Sequence, residues 1–301
     1  MKREGFEASG KLPGEQFSAE NERQPGTLGN PRCCKYKCDD RKEFGGAIGK
    51  HPEIKAMLKT YDETFTLRTR DCDLTGKWRP SAILESMQDA AGMHSMLLGC
   101  GRDELLKNSM VWVLSRCELH MDRYPASGEK ITIHTFPTPT RICFFPRYYI
   151  FTDEHGEMIG KAGTLWLLLD IRTRKMLPPG DVGKLIPDNK DLSVPMNLPA
   201  TVGNLQGEEF VTEYHPVYTD LDVNGHVNNT RYADMLCNAL GVQLMTEYEI
   251  ERIILNYNHE ILPDHKVTLR RILRGNEYRL SGKLDGDVSA FEIGGTLRKR
   301  V

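Results

Sequence analysis

The densest group of chemically capable side chains in the 301-residue sequence lies between Tyr218 and Tyr232, which reads Tyr-Thr-Asp-Leu-Asp-Val-Asn-Gly-His-Val-Asn-Asn-Thr-Arg-Tyr. An imidazole changes charge close to neutral pH, so His226 can take or give a proton. The amide of Asn224 offers a donor and an acceptor to a water or a carbonyl. Gly225 lets the backbone approach a substrate carbonyl. A loop running into a helix also presents free N–H groups and the positive end of the helix dipole, the parts of a site for a developing oxyanion. The ordinary alternative is a decorated turn, because Asp, Asn and Gly are turn residues in their own right.

A second copy of this turn occurs earlier in the chain. Asp71-Cys-Asp73-Leu-Thr75-Gly76-Lys77 precedes Asp220-Leu-Asp222-Val-Asn224-Gly225-His226 by a constant 149 positions. A fixed internal offset marks a duplicated unit. The early copy keeps Asp73 and Gly76 but has Thr75 for Asn224 and Lys77 for His226. A turn that needed Asn and His for its shape would have them in both copies. One copy therefore reads as structural and the other as chemical.

Each turn leads into a predicted helix. The first runs from about Arg79 to Leu98, with Ile83, Leu84, Met87, Ala90, Ala91, Leu97 and Leu98 at mostly helical spacing and Pro80 where a first-turn proline is tolerated. The second runs from about Thr230 to Met245, with Asn228 and Asn229 as candidate N-caps. Four strand-like runs follow each helix: Met110–Met121, Lys130–Phe136, Arg147–Thr152 and Met158–Asp170, then Glu251–Ile261, Lys266–Leu273, Glu277–Leu284 and Ser289–Arg298. Turn signals such as Arg274-Gly-Asn276 and Asp285-Gly-Asp287 separate them. Each antiparallel sheet needs a cover for its apolar face, and one long apolar helix supplies it. The expected organisation is a disordered extension over 1–55 (or a short helix near His51–Lys59), a first unit over 58–176, a Pro-, Gly- and Asp-rich linker over 177–208 and a second unit, carrying the chemistry, over 209–301.

The 40 Lys and Arg against 42 Asp and Glu give a net charge of −2, which weighs against a protein built mainly for nucleic acid. The longest apolar stretches, such as Leu165–Leu169, are strand-sized, far below the ~18 residues of a transmembrane helix. Eight cysteines show no regular framework, as expected for a reduced, cytoplasmic protein. Their one cluster, Cys33, Cys34 and Cys38, has no CxxC pair and reads as a polar tail containing thiols. No apolar signal-peptide core follows Met1, and two Ser against eight acidic residues in positions 1–50 disfavour a transit peptide. Without a Walker, GxGxxG or HExxH pattern, no cofactor and no metal are implied.

Asp222-Val-Asn224-Gly-His226-Val-Asn228-Asn229, with Asp220 upstream and Tyr232 downstream, resembles the fatty acyl–[acyl carrier protein] thioesterases of plants and bacteria. Met121-Asp-Arg123-Tyr124-Pro125, Gly128-Glu-Lys-Ile131 and Thr135-Phe136-Pro137 are similar to the family's first half, with Phe136 where it usually has Trp. The resemblance spans roughly residues 58–300. It implies an α+β chain of two tandem hotdog domains, each an antiparallel sheet wrapped around a long central helix. It places Asp222, Asn224 and His226 on the family's Asp, Asn and His. In Asn256-Tyr-Asn-His-Glu260-Ile261, Glu260 matches the family's Glu while Ile261 replaces a Cys once proposed as nucleophile. Cys237, inside the second helix, is the nearest other thiol in sequence, so water activated by Glu260 or His226 is favoured over a thiol. The resemblance does not say which of the two is the base.

The same resemblance implies a fatty acyl substrate, an acyl carrier protein partner and no cofactor. In the family the acyl slot lies beside the first helix, where Met87, Met93, Met96, Leu97 and Leu98 stand here, although the same stripe also reads as plain core. Arg270, Arg271, Arg274, Arg298, Lys299 and Arg300 are candidates to meet an acidic carrier, against an ordinary reading as solvated strand residues. A monomer or a homodimer is compatible with two halves in one chain. The leading expectation is hydrolysis of acyl–acyl carrier protein. Alternatives are an acyl-CoA thioesterase, since single-domain hotdog enzymes carry a similar segment, and a non-catalytic acyl-binding hotdog protein.

Overall fold

The computed structural model describes residues 58–300. The expected extension over 1–55, with its Cys33, Cys34 and Cys38 cluster, lies outside the described residues, as does the candidate helix near His51–Lys59 apart from its last two positions, which form a turn. In chain order the elements are β1 (Tyr61–Thr66), α1 (Pro80–Leu97), α2 (Arg102–Lys107), β2 (Met110–Met121), β3 (Lys130–Pro137), β4 (Phe145–Thr152), β5 (Met158–Asp170), α3 (Gly180–Leu185), β6 (Glu209–Tyr214), α4 (Arg231–Leu240), α5 (Val242–Glu247), β7 (Tyr248–Tyr257), β8 (Val267–Arg274), β9 (Glu277–Leu284) and β10 (Val288–Lys299).

All ten strands join one antiparallel sheet in the order β1-β3-β4-β5-β2-β7-β10-β9-β8-β6. Counted from its own edge inward, each set of five has the same connectivity, so the two sets are related by an approximate two-fold at the β2–β7 seam. There Arg116 faces Asn256 and His120 faces Arg252. This is an α+β fold of two tandem hotdog units, each half of the sheet packing against its own helix. The strand interiors supply the core by alternation: Ile131, Ile133, Leu119, Met121, Tyr149 and Phe151 in the first half, and Ile253, Leu255, Leu269, Leu280, Phe291 and Ile293 in the second, are buried. Full burial of one such side chain is worth roughly 1.5–3 kcal/mol.

α1 starts at Pro80, as its spacing predicts, and presents Ile83, Leu84, Met87, Ala90 and Ala91 to the core. It ends before Gly99, whose φ of 79° takes the left-handed conformation that terminates helices. Of the methionine stripe, Met87 is core, whereas Met93 and Met96 are exposed. The second helix is shorter than expected. Gly241 adopts φ 91°, and the chain breaks there into α4 and α5. A positive φ cannot continue a right-handed helix. The N-cap of α4 is Thr230 and not the expected Asn228 or Asn229; the Asn228 side-chain oxygen instead accepts the Thr230 N–H at 3.0 Å and braces the approach to the helix. α1 packs against α4, which places the two helices back to back under the sheet.

The opposite face of the seam carries a buried charge network. The Glu118 carboxylate accepts hydrogen bonds from His120 Nε2 at 2.7 Å, Arg252 Nε at 2.9 Å and the backbone N–H of Ala200 at 2.8 Å. Burial alone would raise its pKa; the hydrogen bonds from His120, Ala200 and Arg252 outweigh this and pull it down to about 2. Ala200 belongs to the segment joining the halves. That segment lies across the sheet, with Pro199 over Gly163 of β5 and Val202 over Gly294 of β10. Among the described residues no helix is long and apolar enough to cross a membrane.

Candidate functional site

The turn before α4 is built by its own aspartate. Asp222 N–H donates to the His226 carbonyl at 2.8 Å, and Gly225 N–H donates to the Asp222 carbonyl at 3.0 Å. Gly225 sits at φ 78°, where a Cβ would be strained. The Asp222 carboxylate fills the concave side. Its Oδ1 accepts the Asn224 N–H at 2.8 Å and the His226 N–H at 3.3 Å, and its Oδ2 accepts Asn224 Nδ2 at 3.2 Å. Asp220 fixes the approach to the turn, accepting the Tyr214 hydroxyl at 2.6 Å and the Val217 N–H at 2.9 Å.

Glu260 arrives from the chain just after β7. Val227 N–H donates to the Ile261 carbonyl at 2.9 Å, which lays the Glu260 segment along the turn. The result brings His226 Nε2 to 3.3 Å from Glu260 Oε2, with both side chains about one-third exposed. All four candidate residues, Asp222, Asn224, His226 and Glu260, therefore meet at one place. Tyr232 of α4 lies buried beneath them; burial first, then the charges of Asp222 and Glu260, push its hydroxyl well above the usual tyrosine range. Tyr257 supports the floor by donating its hydroxyl to the Asn229 carbonyl at 3.2 Å.

Two arginines from the first half reach into this site, and neither was legible in the local sequence. Arg174, in the turn after β5, places Nη1 2.7 Å from both Glu260 oxygens. Arg102, first residue of α2, donates Nη2 to Asn224 Oδ1 at 3.5 Å. The Arg174 hydrogen bond is the largest influence holding the Glu260 carboxyl below the usual range, opposed by partial burial and reinforced by His226. The carboxylate is thus held ionised, with Oε2 facing the imidazole.

The expectation for the backbone needs correction, while the low rank given to Cys237 as a nucleophile needs none. The N–H groups of Asn224, Gly225, His226, Val227 and Asn228 all donate within the chain, so the turn backbone at these positions is not free to hold an oxyanion. The Asn224 amide, whose second Nδ2 hydrogen is not needed by Asp222, remains as the nearby donor. Cys237 is partly buried in α4, and desolvation pushes its thiol up to about 12, which leaves little thiolate at neutral pH. Ile261 is fully buried. The basic residues of the late strands are also largely engaged: Arg270 pairs with Glu209, Arg271 donates to the Ala239 carbonyl, Arg298 pairs with Glu249, and Arg300 pairs with Asp73 and Glu249.

The early copy of the turn has the same skeleton and different chemistry. Asp73 Oδ1 accepts the Thr75 N–H at 2.8 Å and the Lys77 N–H at 3.3 Å, and Gly76 has φ 75°. Trp78 N–H donates to the Pro125 carbonyl at 2.9 Å, the counterpart of the Val227–Ile261 bond, so Tyr124 stands where Glu260 stands in the second half. Tyr124 is buried and donates to the Ile250 carbonyl at 2.7 Å. Lys77 and Tyr124 cannot form an imidazole–carboxylate pair.

Two hotdog units in one chain, one bearing an Asp–Asn–His–Glu cluster and the other its substituted counterpart, define a tandem hotdog protein with an asymmetric pair of turns. The acyl-ACP thioesterase N-terminal domain matches residues 58–180 and the acyl-ACP thioesterase C-terminal domain matches residues 203–288, and the chain belongs to the acyl-ACP thioesterase family. It is 24% identical over 213 residues to the chloroplastic palmitoyl-acyl carrier protein thioesterase of Gossypium hirsutum, covering 66% of this chain and 52% of that protein. It is 24% identical over 254 residues to the chloroplastic oleoyl-acyl carrier protein thioesterase of Coriandrum sativum, covering 79% of this chain and 66% of that protein. The chain thus spans about half the length of curated relatives such as the first. A solved acyl-ACP thioesterase from Bacteroides thetaiotaomicron superposes with a TM-score of 0.73 at 23% identity, over 80% of this chain and 99% of that one. The 12:0-ACP thioesterase from Umbellularia californica superposes at 0.69 and 20% identity, over 80% of this chain and 98% of that one. At these identities the likeness to the solved structures is one of fold.

Proposed function

We propose that the protein hydrolyses the thioester between a fatty acyl chain and acyl carrier protein, with water as the nucleophile. The observation that carries this reading is the 3.3 Å approach of His226 to Glu260 beside the Asp222–Asn224 turn, in a chain of the acyl-ACP thioesterase family. A thioester carbonyl is already electrophilic, so the site has to supply a base and a donor for the tetrahedral oxygen. Glu260, with His226, takes a proton from water as the water oxygen bonds to the carbonyl carbon. The carbon–sulfur bond then breaks, and the proton passes to the departing thiolate, giving free acid and thiol. Proton transfer of this kind contributes about 10²–10⁴-fold. Asn224 is the donor assigned to the oxyanion, a role worth roughly 2.7–4 kcal/mol where geometry is good. Asp222 holds Asn224 and the His226 backbone in place.

The domain division 58–176 and 209–301 follows the same reading, with the second part carrying the four site residues and the first offering the apolar flank for the acyl chain. The partner is an acidic carrier protein, the working unit a monomer or homodimer, and the compartment a reducing cytoplasm, in keeping with free thiols at all five described cysteines. The test is thiol release from one acyl chain presented on carrier protein and on CoA, with wild type beside His226→Ala and Glu260→Gln. Turnover favouring the carrier protein, and losses of about 10²-fold or more in both variants, are expected. Preference for CoA would move the assignment to an acyl-CoA thioesterase. Binding of the acyl chain without thiol release would make this a non-catalytic hotdog protein.

A further inference from the structure

We propose that Arg174 is a positioning residue of this site: from the first half of the chain it fixes the Glu260 carboxylate against His226. Arg174 is no ordinary surface cation. Its backbone sits at φ 57°, a conformation that costs a non-glycine residue of the order of 1–2 kcal/mol. The turn that imposes it is tightly determined. Asp170 Oδ1 accepts the N–H groups of Arg172 at 3.0 Å and Thr173 at 2.7 Å, and Arg174 N–H donates to the Asp170 carbonyl at 2.9 Å. The guanidinium is thereby delivered by a rigid loop, and one nitrogen lies equidistant, at 2.7 Å, from both carboxylate oxygens. That leaves Glu260 Oε2 turned toward His226.

The approximate two-fold supplies an independent comparison. Arg300 directly follows β10, whereas Arg174 lies in the turn four residues past the end of β5, and Arg300 Nη2 lies 3.0 Å from Asp73 Oδ2 in the substituted turn of the first half. Each half thus sends a basic side chain from beyond its last strand into the turn region of the other. In the first half the arginine is mostly buried and locks the turn's own aspartate; in the second it is exposed and holds the carboxylate that faces the imidazole. The two pairs engage different acidic groups, so the parallel lies in the cross-half reach and not in a repeated contact.

The groups facing Glu260 are Arg174 from the turn after β5, His226 from the turn before α4, His265 from the loop after Glu260 itself, and Tyr232 from α4. Arg174 is the one fixed positive charge among them, so its removal should raise the pH at which Glu260 becomes a carboxylate. This deepens the hydrolase reading and rests on it for the kinetic arm. The experiment compares wild type, Arg174→Gln and Arg174→Lys in two measurements. The first is the pH dependence of kcat/KM for acyl thioester hydrolysis. The second is a direct ¹³C-carboxyl NMR titration of Glu260, assigned with Glu260→Gln. For Arg174→Gln we expect kcat/KM about tenfold lower and an acid limb displaced upward by about one pH unit, with a parallel displacement of the NMR midpoint and an unchanged Tm. Arg174→Lys should restore most of both displacements, since it returns the charge without the fork. An NMR midpoint that does not move in Arg174→Gln overturns the assignment, whatever the activity. If the midpoint moves while wild type releases no thiol, the clamp stands and the hydrolase reading falls.

Discussion

Replacing Glu118 by Gln at the β2–β7 seam should cost about 3 kcal/mol of stability at neutral pH. The carboxylate is 5% exposed and is pulled from an ordinary value of 4.5 down to about 2. At ~1.36 kcal/mol per unit that difference is worth about 3 kcal/mol. Glutamine keeps the shape and one acceptor but leaves the Arg252 guanidinium without its counter-charge, and breaking a largely buried pair is costly in the same range, about 3–5 kcal/mol. The pH dependence has a definite sign. The folded value lies below the unfolded one, so the stabilisation is complete above 4.5 and is lost as pH falls toward about 2. Urea unfolding of wild type and Glu118→Gln at pH 7 and pH 3 measures it, the difference between the two proteins cancelling every other carboxylate. A gap of about 3 kcal/mol at pH 7 should shrink to roughly half at pH 3. A gap below about 1 kcal/mol at pH 7, or one that does not change with pH, would refute the reasoning.

Asp222→Ala removes three hydrogen bonds that shape the site turn and should lower kcat/KM by about 10²-fold, the usual scale for a misplacement near 1 Å. The matching change Asp73→Ala strips Arg300 of a partner and should lower Tm while leaving steady-state turnover near wild type. Cys237→Ala should retain full thioester hydrolysis, because a thiol pushed up to about 12 carries almost no thiolate at pH 7; loss of activity with an intact fold would reopen a thiol route.

Much of the fold is written in local periodicity. The alternation and turn chemistry of Met110–Met121, Met158–Asp170 and Glu277–Leu284 mark β2, β5 and β9 to the residue. The constant offset between the two turns exposes the duplication before any contact is known. α2 and α3, at six residues each, are too short for a 3.6-residue period to stand out. The break at Gly241 was carried by a glycine inside an otherwise continuous apolar pattern, and the pattern outweighed it. In the site, the turn residues were legible because they are close in sequence, and Glu260 because of the resemblance. Arg174 and Arg102 are 86 and 122 positions from the residues they touch, and no local spacing encodes such a pair. The one available signal was the recurrence of basic residues around the end of the last strand of each half, Arg172-Thr-Arg174-Lys175 just past β5 and Arg298-Lys-Arg300 at the end of β10.

The shared sheet changes what inheritance can do with the two turns. In an arrangement of two identical subunits, any substitution in one turn appears in both. Here one turn has Lys77 and Tyr124 where the other has His226 and Glu260. The substituted copy serves as a brace, with Tyr124 and Arg300 tying it to the far half. Dilution cannot separate the brace from the site it steadies, because both belong to a single polypeptide.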